Sequence, residues 1–203
     1  MRSPSFFLII LCLVLSMPRA VLSAPPKMRP YTGIGILLFP LSGNGLSDPL
    51  PLYEDPGLYR IGSLSLDRIP NYEWIFGAST VEVPLIVSER KGSWLRVAYD
   101  DAGREAWLNP VRSVPLLSWS LFLKSHICRL LPGLQKKYYQ LYQLPGKTAL
   151  TPLTPRRFFK VLRLENEWAM VLSDENSLGW LRWRDEDGRM LIGVSPVSHE
   201  TQP

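Results

Sequence analysis

The stretch Gly92–Pro110, GSWLRVAYDDAGREAWLNP, has a close counterpart in residues 166–183, NEWAMVLSDENSLGWLRW. Each begins near a Trp, continues with alternating apolar residues, passes through a polar turn and ends on a second Trp followed by Leu. Alternation with a period of two places successive side chains on opposite faces of a strand. The turn Asp100–Gly103 supplies the residue types that a tight hairpin requires. The sequence therefore predicts two copies of one small β-module.

The repeat extends outward from these two hairpins. The matched pairs are Leu52–Gly57 (LYEDPG) with Leu141–Gly146 (LYQLPG), Val83–Arg90 with Phe158–Glu165, Trp94 with Trp168, and Trp107 with Trp180. The first copy carries about fifteen extra residues, centred on 64–78, between its Pro-Gly turn and its first Trp. An internal repeat of this kind predicts a duplicated structural unit.

These motifs resemble the bacterial SH3-like (SH3b) domain family, here in two tandem copies. The motifs that carry the resemblance are Trp94-Leu-Arg-Val97 with Ala106-Trp-Leu108, and Trp168-Ala-Met-Val171 with Gly179-Trp-Leu181. The resemblance covers roughly 48–112 and 141–185, and Ala106 stands where the family usually has Gly. It implies small, partly open β-barrels used for extracytoplasmic binding of cell-wall peptides or glycans, and it implies no catalysis.

The predicted fold class is all-β, with two small SH3-like, partly open barrels joined by a short helical linker. Each module has only about 55–65 residues, which is near the lower limit for an independent core, so we expect the two to pack together through the apolar linker. The predicted segments are a signal peptide at 1–23, module 1 at 31–115 with an inserted loop near 64–78, a partly helical linker at 116–140, module 2 at 141–194, and a flexible tail at 195–203.

The first residues have the features of a secretory signal peptide, with a retained anchor as the alternative. Arg2 precedes the apolar run Phe6–Leu15, which is too short to span a bilayer, and small residues follow at Ala20 and Ser23. We therefore expect an exported protein, periplasmic or extracellular and associated with the cell envelope, without a stable membrane span in the mature chain. Removal of the signal leaves Cys128 alone, so no internal disulfide can form.

The formal charge of +5 is unevenly distributed along the chain. Residues 48–112 contain seven basic and ten acidic residues, 113–140 contain four basic and no acidic ones, and 141–203 contain eight of each. The excess positive charge thus comes from the connector and the N-terminal segment, and neither module has a basic face. This pattern argues against nucleic-acid binding.

Few residues could carry catalysis or hold a metal. The two histidines are His126 and His199, and the spacing of His126 and Cys128 is a weak signal for a metal or a thiol–base pair. The acidic groups Asp100–Asp101 and Asp185–Asp187 lie in predicted turns, where Asp suits the turn geometry; weak calcium binding is the alternative. We predict no enzyme activity, no cofactor and no metal. A His or a carboxylate pair converging in a cleft would instead favour an enzyme.

Aromatic side chains are the candidate ligand contacts, because a flat ring offers a large apolar surface at low entropic cost. A core role is the alternative for the tryptophans of the two hairpins. Tyr72 and Trp74 lie in the inserted loop, and Trp183 stands between Arg182 and Arg184, where it could form a partly exposed cationic–aromatic patch. The predicted ligand-binding residues are Tyr72, Trp74, Tyr53, Trp107, Tyr142, Trp180 and Trp183.

These observations predict an exported, non-enzymatic binding protein that recognises a cell-envelope ligand, either a peptidoglycan peptide or glycan or an envelope protein. The alternative is a structural or adaptor subunit of an envelope protein assembly. The expected marker of that alternative is an exposed apolar patch along Leu116–Leu131, too large for a monomer.

Overall fold

The computed structural model describes residues 28–40, 50–65, 68–79, 82–110 and 114–195, and about half of them lie in two antiparallel β-sheets. The predicted all-β class is confirmed. The predicted signal peptide at 1–23 and nearly all of the predicted tail lie outside the described residues. Within the ranges described, none of the helices is both long and apolar enough to cross a membrane.

The first sheet is formed by the N-terminal half of the chain, and its spatial order is β1-β4-β5-β6-β2-β3. A short helix, α1 (Glu73–Phe76), lies in the inserted loop between β3 and β4. The strands are β1 (Gly35–Pro40), β2 (Pro51–Asp55), β3 (Leu58–Ser63), β4 (Glu82–Lys91), β5 (Trp94–Ala98) and β6 (Glu105–Leu108).

The second sheet repeats this topology. Its order is β13-β7-β10-β11-β12-β8-β9, which matches the first sheet strand for strand once β13 is set aside. In the first half, Leu117 forms an isolated bridge with Ile36 of β1. Leu117 thus lies beside β1 at the place that β13 occupies beside β7 in the second half. The strands are β7 (Ile127–Leu130), β8 (Gln140–Tyr142), β9 (Ala149–Pro152), β10 (Phe158–Glu165), β11 (Trp168–Ser173), β12 (Leu178–Arg182) and β13 (Ile192–Val194).

The two sheets agree even in their irregularities, and the agreement corrects the alignment of one strand. Val87 pairs with Val97 and Val161 pairs with Val171, and a bulge follows Val87 in β4 and Val161 in β10. Val87 is therefore equivalent to Val161, so the alignment of Val83–Arg90 with Phe158–Glu165 is one residue out of register. A slip of one residue exchanges the two faces of a strand.

The segment 116–140, predicted as a partly helical linker, contains a helix, a strand and a short turn. Helix α2 (Trp119–Lys124) begins after Ser118, whose Oγ accepts a hydrogen bond from the Leu121 backbone N–H. Strand β7 follows and pairs with both β10 and β13. The second sheet therefore begins at Ile127, inside the segment predicted as a linker.

The two modules pack against each other through a shared apolar core. The core of the second module continues into the first through Ile36 of β1, Ile86 of β4 and Ile75 of α1, all of which are buried. Trp119 of α2 stacks on Phe76 of α1, with ring centroids 6.2 Å apart. The expected packing of the modules is thus observed, and the inserted loop takes part in it together with the linker.

Candidate functional site

A cleft of about 530 Å³ lies where the first module, its inserted loop, the segment before β1 and the end of the second module meet. Its walls come from four parts of the chain: the leader 28–31, the loop 70–74, the outer face of β4 and β5 with the following hairpin, and Arg189. The side chains used below are Tyr31, Tyr72, Trp74, Asp101, Glu105 and Arg189. Clefts of this size at a junction of modules are the usual location of ligand sites.

The leader forms one wall because it is fastened to the second module. The Arg29 guanidinium donates to the buried Asp185 carboxylate at 2.8 Å, and the Met190 backbone N–H donates to the Pro30 carbonyl at 3.0 Å. Arg189 donates to the Arg29 carbonyl at 2.8 Å and to the Tyr31 hydroxyl at 3.0 Å. The Arg189 guanidinium also lies over the Tyr31 ring, 4.3 Å from its centroid.

The inserted loop forms the opposite wall. The Asn71 side chain accepts a hydrogen bond from the Glu73 backbone N–H at the start of α1, and the Asn71 backbone N–H donates to Asp101 at 3.1 Å. The Trp74 carbonyl accepts a hydrogen bond from Arg129 at 3.0 Å, which ties the loop to the second module. Tyr72 and Trp74 are thereby held at the cleft, half-buried, with the rest of each ring packed on the shared core.

The hairpin after β5 contributes acidic groups. Asp100 is paired with Arg104, and Glu105 is paired with Arg96 at 3.1 Å. Asp101 accepts the backbone hydrogen bond from Asn71. Among the residues that the structure describes, no Lys or Arg forms an ion pair with Asp101. The carboxylate of Asp101 is thus the acidic group of this wall without a cationic partner.

Burial, together with the negative charges of Asp101 and Glu105, raises the pKa of Tyr72 to about 12. The phenol therefore stays protonated across the physiological range and can donate a hydrogen bond into the cleft.

Of the predicted site residues, Tyr72 and Trp74 lie together in the cleft. Tyr53 and Tyr142 occupy equivalent positions in the two modules and serve the same packing role. The Tyr53 ring meets Trp94 edge to face at a centroid distance of 5.2 Å, and the Tyr142 ring meets Trp168 in the same way at 5.4 Å. Each pair joins β2 or β8 to the hairpin of its own module.

The remaining predicted contacts, Trp107, Trp180 and Trp183, are buried, so almost none of their surface is available to a ligand. Trp183 is only 4% exposed, because it packs near Trp119 and its indole N–H donates to the Asn166 carbonyl at 2.9 Å. Arg184 does lie over the Trp183 ring. The prediction of an exposed cationic–aromatic patch is therefore wrong, because the Trp183 ring is buried and Arg184 covers it.

The pair His126 and Cys128 is engaged in local structure. The His126 Nδ1 lies 2.7 Å from the Phe122 carbonyl, and the Cys128 thiol is fully buried and points toward the Leu123 carbonyl. Burial raises the pKa of the Cys128 thiol to about 12, so the thiolate is not formed near neutral pH. Across the described parts of the chain, no three His, Cys, Asp or Glu side chains are grouped so as to hold a metal ion.

The face that forms the cleft in the first module is open in the second. Four residues in a row across the second sheet are exposed, including Ile127 at 50% and Leu178 at 55%; we name them the open row. The open row is Ile127, Lys160, Leu172 and Leu178, equivalent to Ile36, Ile86, Ala98 and Glu105 in the first sheet. The apolar patch expected along Leu116–Leu131 is largely buried instead.

Sequence reasoning missed Asp101, Arg189 and the leader as parts of the site. Asp101 does lie in an exposed turn, as the sequence predicts, and Asp100 beside it accepts the Arg104 backbone N–H. Arg189 reaches Arg29 and Tyr31 across 160 and 158 residues of chain. A local sequence pattern cannot indicate a contact between residues so far apart in the chain.

Comparison of the chain with protein-family models, with curated proteins and with solved structures found no match.

Proposed function

We propose that this protein is an exported, non-enzymatic binding protein in which two SH3-like modules present the cleft to a ligand of the cell envelope, a peptidoglycan peptide or glycan. The observation that carries the proposal is the cleft itself, at which the exposed Tyr31 ring, the half-buried Tyr72 and Trp74 rings and a set of charged groups converge. Apolar walls with a few fixed polar groups are typical of ligand sites.

The repeated strand order supports the SH3-like assignment of both modules. In each, a hairpin (β2–β3 or β8–β9) flanks a three-stranded meander, and the first strand of the module pairs on the far side of that meander. In the second module β13 returns to pair with the first strand, which closes one edge of the sheet.

The chemistry of the cleft supports binding over catalysis. It does hold the convergent carboxylates that would favour an enzyme. Two of the three are held by arginines, Asp100 by Arg104 and Glu105 by Arg96, and no histidine or cysteine lines the cleft among the described residues. Asp101 and the protonated Tyr72 remain as groups that can bind a ligand.

The test is co-sedimentation of the mature protein with purified peptidoglycan sacculi, comparing wild type with Tyr31→Ala. Tyr31 is 57% exposed, so its truncation removes ligand surface at little cost to the core. The matched control is Tyr59→Ala, which removes an exposed ring (74%) from the edge strand β3, away from the cleft. Trp74 is not substituted in this test, because its packing on the shared core would confuse loss of binding with loss of fold.

We expect wild type and Tyr59→Ala to pellet with the sacculi, and Tyr31→Ala to remain largely in the supernatant while its circular dichroism spectrum is unchanged. Failure of the wild type to pellet would overturn binding to the wall. Pelleting that Tyr31→Ala leaves intact would keep wall binding but move the ligand site away from the cleft.

The open row favours a second candidate, a structural or adaptor subunit of an envelope protein assembly. In the equivalent row of the first module, Ile36 and Ile86 are buried in the shared core, so part of this face is a surface that the fold already uses for packing. A photo-crosslinking residue at position 178 should yield one discrete adduct with another envelope protein, and the adduct should disappear with Leu172→Lys. The control position is Leu150, equally exposed on edge strand β9; no adduct at 178, or the same adduct at 150, removes this candidate.

A further inference from the structure

Two charges of opposite sign face the same cleft without an ionic partner among the described residues. Asp101, on the hairpin wall, has no Lys or Arg in ion-pair contact, and Arg189, on the leader wall, has no Asp or Glu in such contact. Arg189 is held by carbonyl and phenol oxygens and by the Tyr31 ring, none of which neutralises it. The two residues also form no ion pair with each other, although both line the cleft.

The other charged groups of the cleft are already neutralised. Arg29 is paired with Asp185, Asp100 with Arg104 and Glu105 with Arg96. A ligand therefore meets one available negative group and one available positive group, with the Tyr31, Tyr72 and Trp74 rings among the lining side chains. Charge-assisted hydrogen bonds to such groups are stronger than neutral ones, and groups without ligand partners lose hydration when the cleft fills.

Resting on the proposed function, we propose that the cleft binds a zwitterionic peptide, with the ammonium group at Asp101 and the carboxylate at Arg189. The Tyr72 hydroxyl donates to the peptide backbone, and the aromatic rings contact its apolar side chains. An uncharged glycan would leave both charges without a partner, and a polyanion would leave Asp101 facing further negative charge. The peptide can come from degraded protein, which carries the two charged groups at its ends. It can also come from the stems of the cell wall, whose amino end is joined to the sugar by an amide and whose ammonium group lies on the side chain of a diamino acid.

The test measures binding by isothermal titration calorimetry with three probes: trialanine, its N-acetylated form and its C-amidated form. We expect trialanine to bind best and each capped form to bind roughly tenfold more weakly, because each cap removes one charge-assisted contact. A disaccharide tripeptide muropeptide is the fourth probe. Tighter binding of the muropeptide than of trialanine assigns the ligand to the wall, and equal binding assigns it to free peptides.

Variants of Asp101 and Arg189 test which of the two residues binds which end of the peptide. Asp101→Asn keeps the acceptor for the Asn71 backbone N–H and removes the charge. We expect this variant to bind trialanine roughly tenfold more weakly and the N-acetylated probe with unchanged affinity. Arg189→Gln should lower the affinity for trialanine and leave the affinity for the C-amidated probe unchanged. Arg189→Lys should keep the preference for a free carboxylate. The matched controls are Glu54→Gln and Arg60→Gln, two charged residues outside the cleft.

A variant that loses affinity for only some of the probes is still folded, because an unfolded variant would bind none of the three tripeptides. Equal affinity for the three tripeptides, or a variant effect that is the same for capped and uncapped probes, overturns the zwitterion proposal. If sacculi still pellet in a manner that depends on Tyr31 while the probes show no end preference, the proposed function stands and this inference fails. If the probes show both preferences and sacculi do not pellet, the inference holds and the wall is not the source of the peptide.

Discussion

At the scale of single residues, the same residue type serves very different purposes in neighbouring turns. Asp185 is buried, accepts the backbone N–H groups of Asp187 and Arg189, and pairs with Arg29, so it fastens the leader to the second module. Asp101, in a turn of similar composition, is exposed at the cleft, accepts the Asn71 backbone N–H and has no ion-pair partner among the described residues. Only burial and long-range partners separate a structural carboxylate from a candidate ligand contact.

The buried thiol of Cys128 should be chemically silent in the folded protein. Its pKa of about 12, against an ordinary value of 9.0, implies roughly a thousandfold less thiolate at pH 8 than a free thiol has. We expect a colorimetric disulfide reagent to react at least about a thousandfold faster after unfolding in guanidinium than before. Comparable rates in the two states would show that the second core opens readily.

Glu186 should make the stability of the protein depend on acid pH. Its carboxylate accepts the Tyr138 hydroxyl at 2.5 Å and pairs with Lys137, which lowers its pKa from 4.5 to about 2. Because the folded pKa is lowered, the stabilisation is fully present above pH 4.5 and is lost as the pH falls through 2. We expect Glu186→Gln to flatten the dependence of the free energy of unfolding on pH in this window.

That prediction is checked by urea unfolding between pH 2 and 6, with Glu54→Gln as the control. The control removes a charge of the same sign from an exposed position in β2. A slope in Glu186→Gln as steep as that of wild type would refute the assignment.

At the scale of elements, the two modules differ by one methyl group at equivalent positions in β6 and β12. A Cβ on Gly179 would lie 2.5 Å from Cγ of the buried Leu141, whereas Ala106 occupies the equivalent position in the first module. We expect Gly179→Ala to lower the free energy of unfolding by about 1–3 kcal/mol through overpacking. Thermal unfolding measures the change.

The reverse substitution, Ala106→Gly, is the matched control for Gly179→Ala. This substitution should lower the free energy of unfolding by about 1 kcal/mol, because it deletes a buried methyl group and raises the conformational entropy of the unfolded chain. A neutral or stabilising Gly179→Ala would mean that β8 can move away from β12 at no cost.

Strand β4 shows why a strand can be predicted and still be placed out of register. Leu85, Ile86 and Val87 are all buried, because the first core covers one face and the shared core covers the other. A strand buried on both faces has no alternation, so nothing in its sequence distinguishes one register from the next. The edge strands β3 and β9 were not predicted for a different reason: their residues are mostly exposed and carry little hydrophobic pattern.

At the scale of the whole molecule, the shared core should make the two modules unfold as one unit. Ile75→Ala removes a fully buried side chain that joins α1 to the second module. We expect a loss of about 2–5 kcal/mol and a broadened or divided unfolding transition. Leu121→Ala, which truncates an exposed side chain of α2, should change stability by less than about 0.5 kcal/mol. Differential scanning calorimetry measures both, and two separate transitions in the wild type would contradict coupled unfolding.

The sequence by itself determined the β class, the duplication and the position of each Trp hairpin, because these depend on local alternation and on turn chemistry repeated within one chain. It also singled out Tyr72 and Trp74, since aromatic residues in an insertion are not needed by the repeated unit. The tertiary structure alone decided that the insertion packs on the second module and that the leader forms a wall of the cleft. It also decided that Asp101 and Arg189 face the cleft without an ion-pair partner among the residues that the structure describes. Those features arise from contacts between segments far apart in the chain, and such contacts leave no periodic trace in the residues that make them.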